Sequence, residues 1–101
     1  MTDERRTDER VYLTLEARLE GQSGGYGARI ADISLGGCFV DTRAVVSVGD
    51  VVTIEIKLPD GRWLTLGGQV AYYQHQVGFS MSFTFLTDEA QRALKQLIKS
   101  V

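Results

Sequence analysis

The sequence predicts an all-β domain in which six short antiparallel strands close into a barrel and a single α-helix follows at the C-terminus. Three observations predict it. Apolar and polar residues alternate at period two through most of the chain, the pattern of strands with one buried face. Helical spacing of apolar residues appears only in the last stretch. Closing the strands on themselves removes the unpaired edges that an open sheet would expose.

The elements follow in order. Residues 1–10 are polar and read as a flexible lead-in to a domain spanning 11–101. From Tyr12, the residues Leu13, Leu15, Ala17 and Leu19 fall on one face, and Thr14, Glu16, Arg18 and Glu20 on the other. Gly21 to Gly25 supply a turn. A second strand is expected from Tyr26 to Ile33, with Ala28, Ile30 and Asp32 on one face and Arg29, Ala31 and Ile33 on the other. Ser34 to Gly37 break it, and Cys38-Phe39-Val40 resumes extended chain. After a loop from Thr42 to Asp50, Val52, Ile54, Ile56 and Leu58 give the cleanest alternation. Pro59-Asp60-Gly61 reads as a hairpin turn. The strand from Trp63 to Tyr73 carries Gly67-Gly68, a bulge or bend signal. Gln74-His75-Gln76 turns the chain into a last strand carrying Val77, Phe79, Met81, Phe83 and Phe85 on one face. Trp63 and the phenylalanines are expected in the core. The helix is expected over 87–100, with Thr87 as N-cap, Asp88 and Glu89 in its first turn, and an apolar face of Ala90, Leu94, Leu97, Ile98 and Val101.

Composition bounds the function. The chain has 101 residues, 44% hydrophobic and 24% charged, enough for one core. A net charge of -2 disfavours a nucleic-acid polymer as partner, and a single-stranded nucleic-acid barrel would need a basic groove with exposed aromatics. Cys38 is the sole cysteine, so an internal disulfide and a cysteine-based zinc site are excluded; a lone thiol suits a reducing compartment. The charged N-terminus is unlike a secretory signal, and no apolar run reaches bilayer length. A cytoplasmic protein with no membrane partner and no cofactor is expected.

Two short motifs carry the functional reading. Arg6-Thr7-Asp8-Glu9-Arg10 is an Arg-x-x-x-Arg pattern directly before the first strand. Asp32-Ile33-Ser34-Leu35-Gly36-Gly37 is an Asp-x-Ser-x-x-Gly pattern ending the second, about twenty residues later. Arginine offers a planar fork of donors that matches phosphate oxygens and the guanine O6/N7 edge, and it stacks on purine faces. An ionised Asp accepts only, which suits the N1–H and N2–H2 donors of guanine. The Ser34 hydroxyl can meet a ligand or hold the turn. Gly37 allows a backbone shape or a close ligand approach that a side chain would block.

This pair of motifs, with Val77-Gly78-Phe79 in the last strand, resembles the PilZ domain family of bacterial cyclic di-GMP receptors. The resemblance runs from Arg5 to the C-terminal helix. It implies that Arg6, Arg10, Asp32, Ser34, Gly36 and Gly37 line the ligand surface of a PilZ-type barrel. In that family an arginine directly before the pair accompanies two stacked, intercalated ligand molecules, so Arg5 implies that form. An aromatic late in the fifth strand often lies against a guanine; Tyr72 is the candidate and Tyr73 the alternative. The expected function is a receptor that orders residues 1–10 over its ligand and signals to an unidentified effector protein. Motility, polysaccharide secretion and biofilm control are the outputs the resemblance implies.

Each group also has a plainer reading. The arginines can pair with Asp3, Asp8 and Glu9 as solvated charges, worth little. Asp32 and Ser34 can simply form an Asx-type turn. Cys38 reads as a small core residue and His75 as an exposed hairpin residue. Ser34, Asp32 and His75 are the residue types of a hydrolytic triad, but no nucleophile elbow accompanies them, so no enzyme is expected. The rival function is a PilZ-like interaction adaptor that does not bind nucleotide; its degenerate members lack the motifs this chain retains.

Overall fold

The computed structural model describes residues 10–20 and 27–101. In these, β1 (Val11–Leu19), β2 (Ala28–Ile33), β3 (Gly37–Thr42), β4 (Val51–Lys57), β5 (Trp63–Gln74) and β6 (Gly78–Phe85) precede α1 (Asp88–Lys99). The strands close into a barrel in the order β1-β2-β3-β6-β5-β4, every neighbouring pair antiparallel. Closure is made by β1 against β4, with Ala17 opposite Ile56 and Leu19 opposite Ile54.

The alternation read from the sequence fills the barrel. Leu15, Ile30, Val40, Ile54, Ile56, Leu66, Val70, Phe79 and Met81 form its buried core, and Cys38 joins them at 1% exposure. Ala90, Leu94 and Leu97 of α1 complete that core. The helix begins as expected. Thr87 adopts extended backbone, and its hydroxyl accepts from the Ala90 N–H at 3.0 Å. Asp88 and Glu89 occupy the first turn and Lys99 the last, each on the side the helix dipole favours. Val101 lies beyond the helix end and is exposed, so it is not part of the apolar face.

The second strand departs from strict alternation. Ile30 pairs with Val40, but Asp32 pairs with Phe39, so β2 spends one extra residue, Ala31, in a bulge. Two successive residues, Ala31 and Asp32, therefore lie outside the core, and Ile33 returns to it at 0% exposure. Asp32 is thus on the outer wall, not on the Ile30 face. Burying Ile33 contributes about 1.5–3 kcal/mol, whereas an unpaired carboxylate inside would cost several.

Further register shifts fall between Tyr12 and Leu15, between Val70 and Tyr72, and between Gly67 and Gly68, the place where the sequence predicts a bend. A Cβ on Gly68 would lie 2.0 Å from the Ser82 carbonyl oxygen, so β5 and β6 meet there at a distance only glycine allows.

The expectation for the aromatic residues is corrected. Of the phenylalanines only Phe79 is fully buried; Phe85 is 71% exposed because β6 runs past the end of the core. Phe83 is partly buried against the core, and Phe39 is half-buried on the outer wall. Trp63 is also half-buried outside, with the Arg18 guanidinium 3.8 Å from its ring centre.

Candidate functional site

The β2–β3 turn is built on Ser34. Its N–H donates to the Gly37 carbonyl at 2.8 Å. Its hydroxyl donates to that same carbonyl at 3.3 Å and accepts from the Gly36 N–H at 3.1 Å. Ser34 is 1% exposed. Of the two roles the sequence allowed the hydroxyl, the structure shows the turn. The Gly36 carbonyl accepts from the Phe83 N–H at 2.8 Å, which ties the turn to β6. A Cβ at Gly37 would come within 2.2 Å of the Met81 carbonyl oxygen. The glycine is therefore required by strand packing, whatever else it does.

Fixing that turn fixes Asp32 at the end of β2. There it meets Arg10, whose Nη1 donates to Asp32 Oδ1 at 2.5 Å. The side chains are 44% and 18% exposed, so the pair is accessible from solvent. The acid that Arg10 meets is the one twenty-two residues onward, in the second motif. Beneath it lies Cys38. Burial pushes its thiol well above the usual range; the Asp32 charge adds to this and the Arg10 charge opposes it.

Arg10, Ser34, Gly36 and Gly37 border an open depression of about 500 Å³ that Cys38 of β3 and Ser80, Met81 and Ser82 of β6 also line. The two glycines leave its floor without side chains.

The register extends the site sideways. Tyr12, Asp32, Phe39, Ser80 and Tyr72 are successive cross-strand partners on β1, β2, β3, β6 and β5, one continuous row. Neighbours in such a row stand about 4.8 Å apart. Tyr12 is 77% and Tyr72 53% exposed. Tyr72 lies on this wall, its hydroxyl bonding Gln74 Oε1 at 3.2 Å. Tyr73, the alternative, is opposite Phe79 and packs toward the core; its hydroxyl meets His75 Nδ1 at 3.0 Å. Of the two, Tyr72 is the one on the site's face.

The structure thus brings Arg10, Asp32, Ser34, Gly36 and Gly37 together and sets Tyr72 three strands from Asp32 on the same wall. Arg5 and Arg6 lie outside the described residues. Sequence reasoning missed Tyr12, Phe39, Ser80 and Ser82. The available signal was Tyr12, a large aromatic in phase with the polar residues Thr14, Glu16 and Arg18. Among the described residues no group of His, Cys, Asp or Glu is placed to hold a metal, and no helix is long and apolar enough to cross a membrane.

A sequence model of the PilZ domain matches residues 4–100. Among solved structures, the chain is similar to the Bacillus subtilis inhibitor of motility (MotI/DgrA), at a TM-score of 0.74 and 19% identity, over 95% of this chain and 50% of that one. At that identity the likeness is one of fold, and this chain spans about half the length of its neighbour. No curated protein sequence matches.

Proposed function

The chain belongs to the PilZ domain family, and from that premise we propose that it is a cyclic di-GMP receptor and adaptor whose recognition edge is the Arg10–Asp32 pair. Guanine presents, in order around its rim, N2–H2 and N1–H donors and then O6 and N7 acceptors. Asp32 accepts only and Arg10 donates only. Held side by side at 2.5 Å, they offer acceptors next to donors, the complement of that rim. Adenine carries an amino donor where guanine has O6, and that donor would face a guanidinium N–H. This preformed pair is the observation that carries the proposal.

The other groups follow from it. Arg6, four residues before Arg10, supplies a second guanidinium for the phosphates. Arg5 adds a third. Ser34, Gly36 and Gly37 act by holding Asp32 in place and by leaving the depression floor bare for the ribose-phosphate ring. Tyr72 receives a guanine face farther along the wall. Bound ligand holds residues 1–10 against the barrel, and an effector protein reads the surface so formed, an order–disorder switch. Because the similar solved structure is an inhibitor of motility, motility is the first output to examine. The receptor acts in the cytoplasm, as a soluble protein without catalytic activity.

Isothermal calorimetry of the full chain with cyclic di-GMP tests the proposal and returns affinity and stoichiometry together. Binding is expected, with discrimination against cyclic di-AMP that narrows in Asp32→Ala. Absence of binding would reassign the chain as a PilZ adaptor that does not take nucleotide. Equal affinity of the parent for both dinucleotides would refute the recognition edge.

A further inference from the structure

We infer that Tyr12 and Phe39 form an aromatic slot over Asp32 that receives one guanine between their rings. The inference rests on the receptor reading above and deepens it by naming how the base is held. Both side chains belong to the outer wall. Tyr12 is 77% exposed, and Phe39 is half-buried yet absent from the residues packed against the core. Tyr12, an exposed aromatic on an otherwise polar strand face, gains most when a flat apolar surface covers it.

Their placement is specific. Tyr12 is the cross-strand partner of Asp32 on one side, and Phe39 is its partner on the other. Two strand spacings put their backbones about 10 Å apart. A planar base with a ring against each face needs about 7 Å between the rings, two carbon contact distances. That spacing leaves room for one base between the two positions. Asp32 stands between the walls, so a base hydrogen-bonded to its carboxylate in the base's own plane turns its faces toward the two rings. Arg10 lies two residues before Tyr12, just ahead of β1, and its guanidinium bonds the Asp32 carboxylate that stands between the two rings' positions, so the donor–acceptor edge lies at the slot. Two register shifts create the arrangement: the bulge at Ala31 brings Asp32 opposite Phe39, and the shift between Tyr12 and Leu15 sets Tyr12 on its other side.

The test uses the full chain with Tyr12→Ser, Tyr12→Phe, Phe39→Ser and Phe39→Leu, titrated with cyclic di-GMP by calorimetry, and follows the guanine H8 resonances by NMR. Stacking on an aromatic predicts that each serine variant loses roughly five- to a hundredfold in affinity. Tyr12→Phe keeps the ring and stays within about twofold of the parent. In the parent complex one guanine H8 moves upfield from ring currents, and that shift shrinks in either serine variant. Should Phe39→Ser fail to fold, Phe39→Leu and the parent's own H8 shift decide the matter. Serine variants that bind as the parent does, an unshifted H8, or a Tyr12→Phe loss as large as that of Tyr12→Ser would overturn the slot while leaving the receptor reading intact. A parent chain that binds no cyclic di-GMP would overturn both.

Discussion

Replacing Arg10 by alanine separates a ligand-binding role from a structural one. The guanidinium it removes is 44% exposed, and the Asp32 carboxylate left behind is 18% exposed and still reached by water. Exposed pairs contribute about 0.2–1 kcal/mol, so the ligand-free variant is expected to lose less than about 1 kcal/mol of stability. For a domain of this size that is a fall in Tm of no more than about 4–8 °C. Binding loses more. Charge-assisted hydrogen bonds to phosphate or guanine contribute about 1.5–3 kcal/mol, so affinity for cyclic di-GMP is expected to fall roughly tenfold to a hundredfold. Urea denaturation of the free protein and calorimetry of the complex read the two quantities independently. Arg10→Lys keeps the charge and loses the planar fork, so it should fall between parent and alanine in affinity. Unchanged affinity in Arg10→Ala would remove Arg10 from the site. A stability loss of about 3 kcal/mol or more would mark the pair as a buried structural bridge and refute the assignment.

Three further outcomes are expected. Gly37→Ala forces a Cβ to within 2.2 Å of the Met81 carbonyl oxygen and should destabilise by about 1–3 kcal/mol, whereas Gly27→Ala, with nothing within 4 Å, should not; chemical denaturation compares them. Thr87→Ala removes the acceptor for the Ala90 N–H and should cost about 1 kcal/mol, read as a lower urea midpoint at unchanged slope. Burial raises the Cys38 thiol above its ordinary value of 9.0, so the folded chain keeps a proton that the unfolded chain loses above that pH. The stabilisation is complete below about pH 9 and declines as pH rises beyond it; between pH 8 and 10 the parent should lose about 1.4 kcal/mol more than Cys38→Ala, and equal losses would contradict the burial argument.

Much of this molecule is legible in one dimension. Period-two alternation in Leu13–Leu19 and Val52–Leu58 placed strands, because a residue's face in a strand depends only on its immediate neighbours. Thr87 with Asp88 and Glu89 placed the helix start for the same local reason. Arg10, Asp32, Ser34, Gly36 and Gly37 were legible as candidates from residue type and spacing. Their division of labour was not. That Gly37 answers to the Met81 carbonyl depends on β6, more than forty residues away.

Which residues share the wall with Asp32 was decided only by tertiary structure. A single unpaired residue, Ala31, shifts the pairing so that Ile33 enters the core and Asp32 stands outside opposite Phe39. Tyr12, Ser80 and Tyr72 join that row through strand pairing, the link from Phe39 to Ser80 joining β3 to β6, strands far apart in the chain. Alternation along one strand sets inside from outside, but it carries no information about register between strands. Register is settled by the packing of all six strands at once, and it alone turns a pair of motifs into a surface.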